Sequence, residues 1–285
     1  MPVLLACVIV PYLFWSGTWF GKALDTEQII ARLDAIQPSR TTGSADREKA
    51  KLRQAQHAFE QISRRIVAAA KQRASDATQD QELERIYDHV LPLAEHPAVL
   101  VRESVAWVMG EDEREARFTE PLRKLVADPN PGVRRNAALA LARRMDQRAL
   151  PVLRQMLRPF AVRAEVSGEV LAVIEGGRRL DLGNEIARIR TKDGGVRVQR
   201  APLKGQIVAV SITKGARIEQ GALLCKVKPT SVEVFYALHG IAALGDASDL
   251  PLVEPWTSNR PAGRRVRGAA IKAKASLERR ISAGK

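Results

Sequence analysis

Ala164-Glu165-Val166-Ser167-Gly168-Glu169-Val170 returns 37 residues later as Ala201-Pro202-Leu203-Lys204-Gly205-Gln206-Ile207. Gly177-Arg178-Arg179-Leu180-Asp181-Leu182-Gly183 returns 38 residues later as Gly215-Ala216-Arg217-Ile218-Glu219-Gln220-Gly221. One gap therefore aligns two halves of a single stretch, 164–227. Each half ends in an apolar alternation, Ile186 and Ile189 in the first, Leu224 and Val227 in the second. Branched runs such as Val-Leu-Ala-Val-Ile read as strands. The glycines between them fall where only a residue without Cβ turns the chain cheaply. Neither half is long enough to bury both faces of its own sheet, whereas two halves packed together are.

The duplicated pattern resembles the biotinyl/lipoyl-type barrel-sandwich hybrid, whose halves open on Ala-Pro-x-x-Gly-x-Val and carry a Gly-x-x-Val-x-x-Gly turn. Ala201 to Val227 matches this closely, and Ala164 to Ile189 matches with Glu165 in place of the proline. The resemblance implies two kinds of role. Carrier members hold biotin or lipoate on a lysine of the turn joining the halves. Unmodified members serve as contact modules in secretion and efflux assemblies. The joining turn here is Arg190-Thr191-Lys192-Asp193-Gly194-Gly195, so Lys192 is the candidate attachment residue. Its flanks are neither Met-Lys-Met nor Asp-Lys-Ala, and Asp193-Gly194 also reads as the centre of a tight hairpin with both residues at positive φ. The main expectation is an unmodified module with no cofactor.

Toward the N-terminus, a second repeat appears. His96-Pro97 to Val101-Arg102-Glu103-Ser104-Val105-Ala106 aligns with Asp128-Pro129 to Val133-Arg134-Arg135-Asn136-Ala137-Ala138 at an offset of 32 residues. A proline turn, a Val-Arg pair and a helix of small residues resemble the HEAT repeat, in which antiparallel helix pairs stack into a solenoid. The resemblance implies that Arg102 and Arg134 meet an acidic group in the turn. Upstream, Asp25 to Leu33 reads as a short helix. A long one runs from Ser44 to about Arg73, with Leu52, Ala55, Phe59, Ile62, Ile66 and Ala70 on one face. Leu83, Ile86, Tyr87, Val90 and Leu91 mark another. After the strands, Tyr236 to Gly245 reads as a repeat helix, and Gly263 to Ala270 repeats the Val-Arg-small pattern. The fold class is thus α+β, an α-solenoid of HEAT-like helices interrupted by a small all-β module. The expected divisions are 1–21 an N-terminal segment, 22–158 helices, 159–229 the hybrid barrel and 230–285 C-terminal helices with a basic tail.

The 285 residues carry a formal charge of +14. Nine basic residues and one acidic residue lie between Arg260 and Lys285. Arg260, Arg264, Arg265, Arg267, Lys272 and Lys274 are therefore candidates for contact with an anionic lipid or nucleic-acid partner. No aromatic residue interrupts the run, which argues against base stacking and hence against nucleic acid. Residues 2–20 carry no charge and are long enough for a helix to cross a bilayer, with Tyr12, Trp15 and Trp19 near one end. A cleaved signal peptide is the rival reading, although a basic n-region and an Ala-x-Ala site are missing. The retained-anchor reading places the chain in the bacterial inner membrane with its folded part extracytoplasmic. Of the two cysteines, Cys7 lies in this segment and Cys225 in the last strand, so no pairing is expected. The four histidines show no metal-ligand spacing. With no nucleophile elbow, phosphate loop or paired-carboxylate frame, the expectation is a non-enzymatic scaffold that holds protein partners. The alternatives are a carrier modified at Lys192 and an anion binder working through the basic tail.

Overall fold

The computed structural model describes residues 23–37, 45–71, 77–258 and 263–283. The chain forms two compact units, divided between Pro121 and Leu122.

The first unit is helical. Asp25 caps α1 (Thr26–Asp34) in a reciprocal box with Gln28, satisfying two backbone donors that a helix start leaves unpaired. Helices α2 (Ala45–Lys71) and α3 (Ala77–Val90) pack against it. Ile29, Leu33, Phe59, Ile62, Ile66, Ile86 and Val90 are fully buried. The stripe expected on α2 fades at both ends, where Leu52 is half-buried and Ala70 exposed. Arg65 ties the three helices by donating to the Thr26 hydroxyl (2.7 Å), Glu82 (3.3 Å) and the Leu24 carbonyl (2.7 Å). Leu91 begins a 3-10 segment (Leu91–Glu95) rather than extending α3, because Pro92 has no N–H to continue the α ladder. Next comes α4 (Val99–Glu111). Asp112 ends it and, though buried, accepts from the Tyr87 hydroxyl at 2.9 Å. Glu111 to Glu113 thus includes a structural carboxylate as well as surface charge.

Helix α5 (Thr119–Leu125) spans the division. The second unit continues with α6 (Pro131–Arg143) and α7 (Leu150–Met156). Eight strands follow: β1 (Phe160–Arg163), β2 (Gly168–Val173), β3 (Arg179–Leu180), β4 (Glu185–Arg190), β5 (Val196–Arg200), β6 (Gly205–Val210), β7 (Arg217–Ile218) and β8 (Leu223–Lys228). Then come α8 (Ser231–Leu244), α9 (Leu250–Val253) and α10 (Gly263–Ala283). Helix α8 starts five residues before the Tyr236 start expected from sequence. Its cap is Thr230, boxed with Glu233.

The eight strands form two antiparallel four-stranded sheets, ordered β1-β8-β6-β3 and β5-β4-β2-β7. They close on one apolar core that includes Val162, Ile174, Ile186, Ile189, Ile207, Leu224 and Val227. The duplication seen in sequence is a pseudo-twofold in hydrogen bonds. Gly177 N–H donates to Ile207 O (2.9 Å) and Gly215 N–H to Val170 O (2.7 Å). Gly183 N–H donates to Ala201 O (2.9 Å) and Gly221 N–H to Ala164 O (2.8 Å). Each half thus completes the backbone pairing of the other, so neither is a closed sheet alone. The β2–β4 and β6–β8 ladders even shift register at equivalent points, after Val170 and after Ile207.

One departure from symmetry has a chemical reason. Pro202 has no N–H, but its counterpart Glu165 does. That N–H donates to the buried Gln199 at 3.0 Å, and Gln199 donates back to the Glu165 carboxylate at 2.7 Å. Val162, the apolar counterpart of Gln199, stands in the half that has proline and no donor to satisfy.

Candidate functional site

Equivalent turns of the helical repeats share bonding as well as sequence. Arg102 donates to the carbonyls of His96 (2.8 Å) and Pro97 (2.9 Å). Arg134 donates to those of Asp128 (2.6 Å) and Pro129 (2.7 Å). Both arginines thus bind the carbonyls of their own turns. The free N–H groups in the turns are met by His96 Nδ1, which accepts from Ala98 N–H (3.0 Å), and by Asp128, which accepts from Asn130 N–H (2.8 Å).

A further repeat feature escaped the sequence reading. Glu115, Asp146 and Asp246 each accept from the N–H two residues on and open a 3-10 turn that leads into α5, α7 and α9. The signal was legible as an acid followed within six residues by Pro121, Pro151 or Pro251. Arg123 pairs with Asp146 at 2.6 Å, and Arg154 with Asp249 at 2.6 Å and Asp246 at 3.2 Å. Burial opposes ionisation of Asp146, yet the Arg148 N–H and Arg123 hold its carboxyl below the usual aspartate value. The Ser248 hydroxyl and N–H do the same for Asp246.

The strands join the helices at a buried ionic junction. Arg135 of α6, only 7% exposed, pairs with Glu233 in the first turn of α8. Its guanidinium also lies 5.7 Å from the ring centroid of Phe160, the first residue of β1. The other Glu233 oxygen accepts from Thr230 N–H (2.7 Å) and the Thr230 hydroxyl (2.9 Å). Desolvation pulls Arg135 below the ordinary arginine value, and Glu233 opposes that shift. The junction thus fixes both places where the chain passes between helix and strand.

Lys192 lies exposed in the turn between β4 and β5. Gly194 N–H closes the turn onto Thr191 O at 2.9 Å, and the Thr191 hydroxyl donates to Gly195 O at 2.9 Å. Only Gly194 is left-handed (φ 83°); Asp193 is not. The expected two-residue hairpin is therefore corrected to a longer loop with one left-handed glycine, a form that places no φ demand on aspartate. Asp193 instead caps the Gly195 N–H at 3.2 Å.

The basic tail divides into residues with and without structural partners. Arg265 lies 4.3 Å from the Phe235 ring centroid. Arg267 donates to Thr257 O (3.1 Å), and Lys274 pairs with Glu254 (2.9 Å). Arg280 donates to the carbonyls of Ala242, Ala243 and Gly245, capping the end of α8, where a cation also suits the helix dipole. Arg264 and Lys272 are exposed and have no such partner among the described residues. Arg260 lies outside the described residues. Cys225 is buried in β8, and burial pushes its thiol up to about 11.

The anchor expected over 2–20, and Cys7 within it, also lie outside the described residues. Among those described, no helix is long and apolar enough to cross a membrane. The expectation of a single-pass inner-membrane protein is corrected accordingly and taken no further.

The family described as HEAT repeats matches residues 87–172. That stretch is similar to HEAT repeats. The match begins in α3 and runs through the repeated turns into β2. No curated protein matches the sequence. The solved complex of CpcE and CpcF of phycocyanin lyase from Nostoc sp. PCC7120 is similar over 93% of this chain and 69% of that one, at 18% identity and a TM-score of 0.44. A single-chain, multi-domain long-chain acyl-CoA carboxylase is similar over 26% of this chain, at 24% identity and a TM-score of 0.24. This chain spans only 8% of the carboxylase's length. The expectation of a non-enzymatic chain is withdrawn.

Proposed function

We propose that the chain is a scaffold that holds one protein partner on its HEAT-repeat helices and presents the strand module to a second. The observation that carries this reading is the turn bonding repeated at an offset of 32, His96 and Arg102 against Asp128 and Arg134. HEAT repeats stack into extended surfaces suited to protein partners. On this reading the strand module is a barrel-sandwich hybrid of the biotinyl/lipoyl type inserted into the helical array. Reciprocal hydrogen bonding between its halves supports the fold assignment. The insertion is supported by spacing. The capped turns at Asp146 and Asp246 lie 100 residues apart, whereas those at Glu115 and Asp146 lie 31 apart. Phe160 and Val227 are paired neighbours on adjacent antiparallel strands, so the insert leaves and returns at one place.

A second reading, a carrier modified at Lys192, is favoured by the exposed position of that lysine on the turn joining the two halves. One experiment tests both. The full chain and a version with residues 160–227 replaced by a short linker are purified with their native partners, and the eluates are read by mass spectrometry. The scaffold reading expects distinct partners, some lost with the strands, and an unmodified Lys192. Biotin or lipoyl mass on Lys192 establishes the carrier instead. Identical partner sets from both versions remove any role for the strands, and an empty eluate from both refutes the scaffold.

A further inference from the structure

The outer face of α8 is apolar and uncovered. Val232 is 63% and Tyr236 41% exposed. Phe235 and His239 stand beside them on the same face, with ring centroids 4.5 Å apart, and Phe235 meets Tyr236 edge-on at 5.3 Å. Spacing of three, four and seven residues places these side chains on one stripe. The stripe runs into an open groove between α8 and α10 of about 610 Å³, lined by His239, Lys272, Ser276 and Arg279 among others. Arg265 covers the Phe235 ring at the other end. Around this surface stand Arg265, Lys272 and Arg279. The acid in the groove wall, Glu278, lies 4.0 Å from Lys274.

We propose that this stripe and groove dock an acidic peptide segment carrying an apolar anchor. The anchor packs on Val232 and Tyr236, and the acidic residues meet Lys272 and Arg279. This inference names a partner chemistry for the scaffold and rests on that reading. Charge complementarity selects the occupant: an open groove edged by Lys272 and Arg279 and continuous with an exposed apolar stripe suits an anionic amphipathic segment. A lipid surface fits less well. The apolar face of α10 (Val266, Ala269, Ala270, Ala273, Leu277) is buried inside the protein and has nothing to insert. Single-stranded nucleic acid also fits less well, because Phe235 is already stacked by Arg265 and its neighbours.

The test uses the full chain and a short labelled peptide with Glu and Asp around a Leu-Leu-Phe anchor, read by fluorescence anisotropy. Comparison probes are an all-Glu peptide, a Gln-substituted version of the first, phosphatidylserine-containing vesicles and a single-stranded oligonucleotide. Binding of the first peptide is expected to weaken by at least about tenfold with Y236A and with K272E/R279E. It should be unchanged by K204E, a charge reversal at an exposed site on the strand module. All these side chains are exposed, so unchanged thermal melts verify folding. Failure of the anchored peptide to bind, equal binding of the all-Glu peptide, or indifference to Y236A overturns the proposal. Tighter binding of vesicles or oligonucleotide through the same residues overturns it in favour of that ligand. Repeating the co-purification with Y236A/K272E/R279E separates the two readings. A native partner that persists sinks the groove and leaves the scaffold standing, whereas peptide binding without any native partner does the reverse.

Discussion

Alanine at Gly168 would place its Cβ 2.2 Å from the carbonyl oxygen of Arg190 and 2.8 Å from Ile189 Cγ2. At the equivalent position, alanine at Gly205 would place Cβ 2.4 Å from Lys228 O and 2.5 Å from Val227 Cγ1. These carbonyls belong to neighbouring strands already held by ladder bonds, so rotation of a flexible side chain cannot relieve the clash. The strands must separate by about 1 Å to restore ordinary contact, which a close-packed interior resists. Overpacking of this kind costs about 1–3 kcal/mol, and weakening a ladder hydrogen bond adds about 1 kcal/mol. We expect G168A and G205A each to destabilise the second unit by about 3 kcal/mol, a large share of typical stability. At about 2–4 °C per kcal/mol, the melting temperature should fall by about 6–12 °C. Far-UV circular dichroism measures the transition, with hydrogen exchange on β2 and β6 locating the loss. G176A is the internal control. Its Cβ would meet nothing within 4 Å and its φ is not left-handed, so it should be neutral or stabilise by about 0.4–1 kcal/mol through the unfolded chain. Melts of G168A and G205A within error of G176A would refute both the close approach and the symmetry argument built on it.

Other perturbations probe the joints. Replacing Arg135 with methionine strands Glu233 in a partly buried site and should cost about 3–5 kcal/mol. R135M/E233Q should recover part of that in denaturant unfolding, and a double mutant as unstable as the two singles combined would deny the coupling. Met145 ends α6 in the left-handed region at φ 57°, with Asp146 N–H bonded back to Leu141 O at 3.0 Å. M145G should therefore stabilise by about 1 kcal/mol in the same assay, and a loss of stability would contradict that geometry. The carboxyls of Asp146 and Asp246 are held below their ordinary value. Their contribution is thus present above about pH 4, the unfolded aspartate value, and is lost as pH falls through the lower folded value. The stability gap between the wild-type protein and D146N/D246N should be constant near neutrality and close in acid; a gap that widened in acid would reverse the sign.

Legibility followed locality. The paired strands could be read because each half repeats its glycines and its alternation, and backbone geometry enforces both. The repeat turns could be read because Pro97 and Pro129 sit at one offset beside Val-Arg. The roles of the arginines could not. Sequence supplies a cation, but whether it finds a carbonyl, as Arg134 does, a ring, as Arg265 does, or a carboxylate, as Arg135 does, depends on elements far away in the chain. The tail illustrates the consequence. Its composition reads as one basic surface, yet Arg267, Lys274 and Arg280 serve internal contacts. The groove was invisible for the same reason. Its floor comes from α8 and its rim from α10, and neither stretch is unusual alone. Thr230 to Glu233 was a legible capping box, and its omission set the expected start of α8 too late.

Gln199 shows how a deviation from a repeat can carry more information than the repeat itself. A glutamine at a core position of a strand would ordinarily cost stability, since a buried amide without partners is expensive. Here the cost is offset because Glu165 offers an N–H and a carboxylate where Pro202 offers neither. The two departures from symmetry are therefore one departure. The same logic applies at the junction, where a buried arginine is tolerable because Glu233 is already oriented by Thr230 and Phe160 supplies a ring face. Both exceptions place specificity where apolar packing would have left alternatives open. Gln199 and Glu165 distinguish one half of the strand module from the other. Arg135 ties α6 to the first residue of β1 and to the first turn of α8, the two points where strands and helices join.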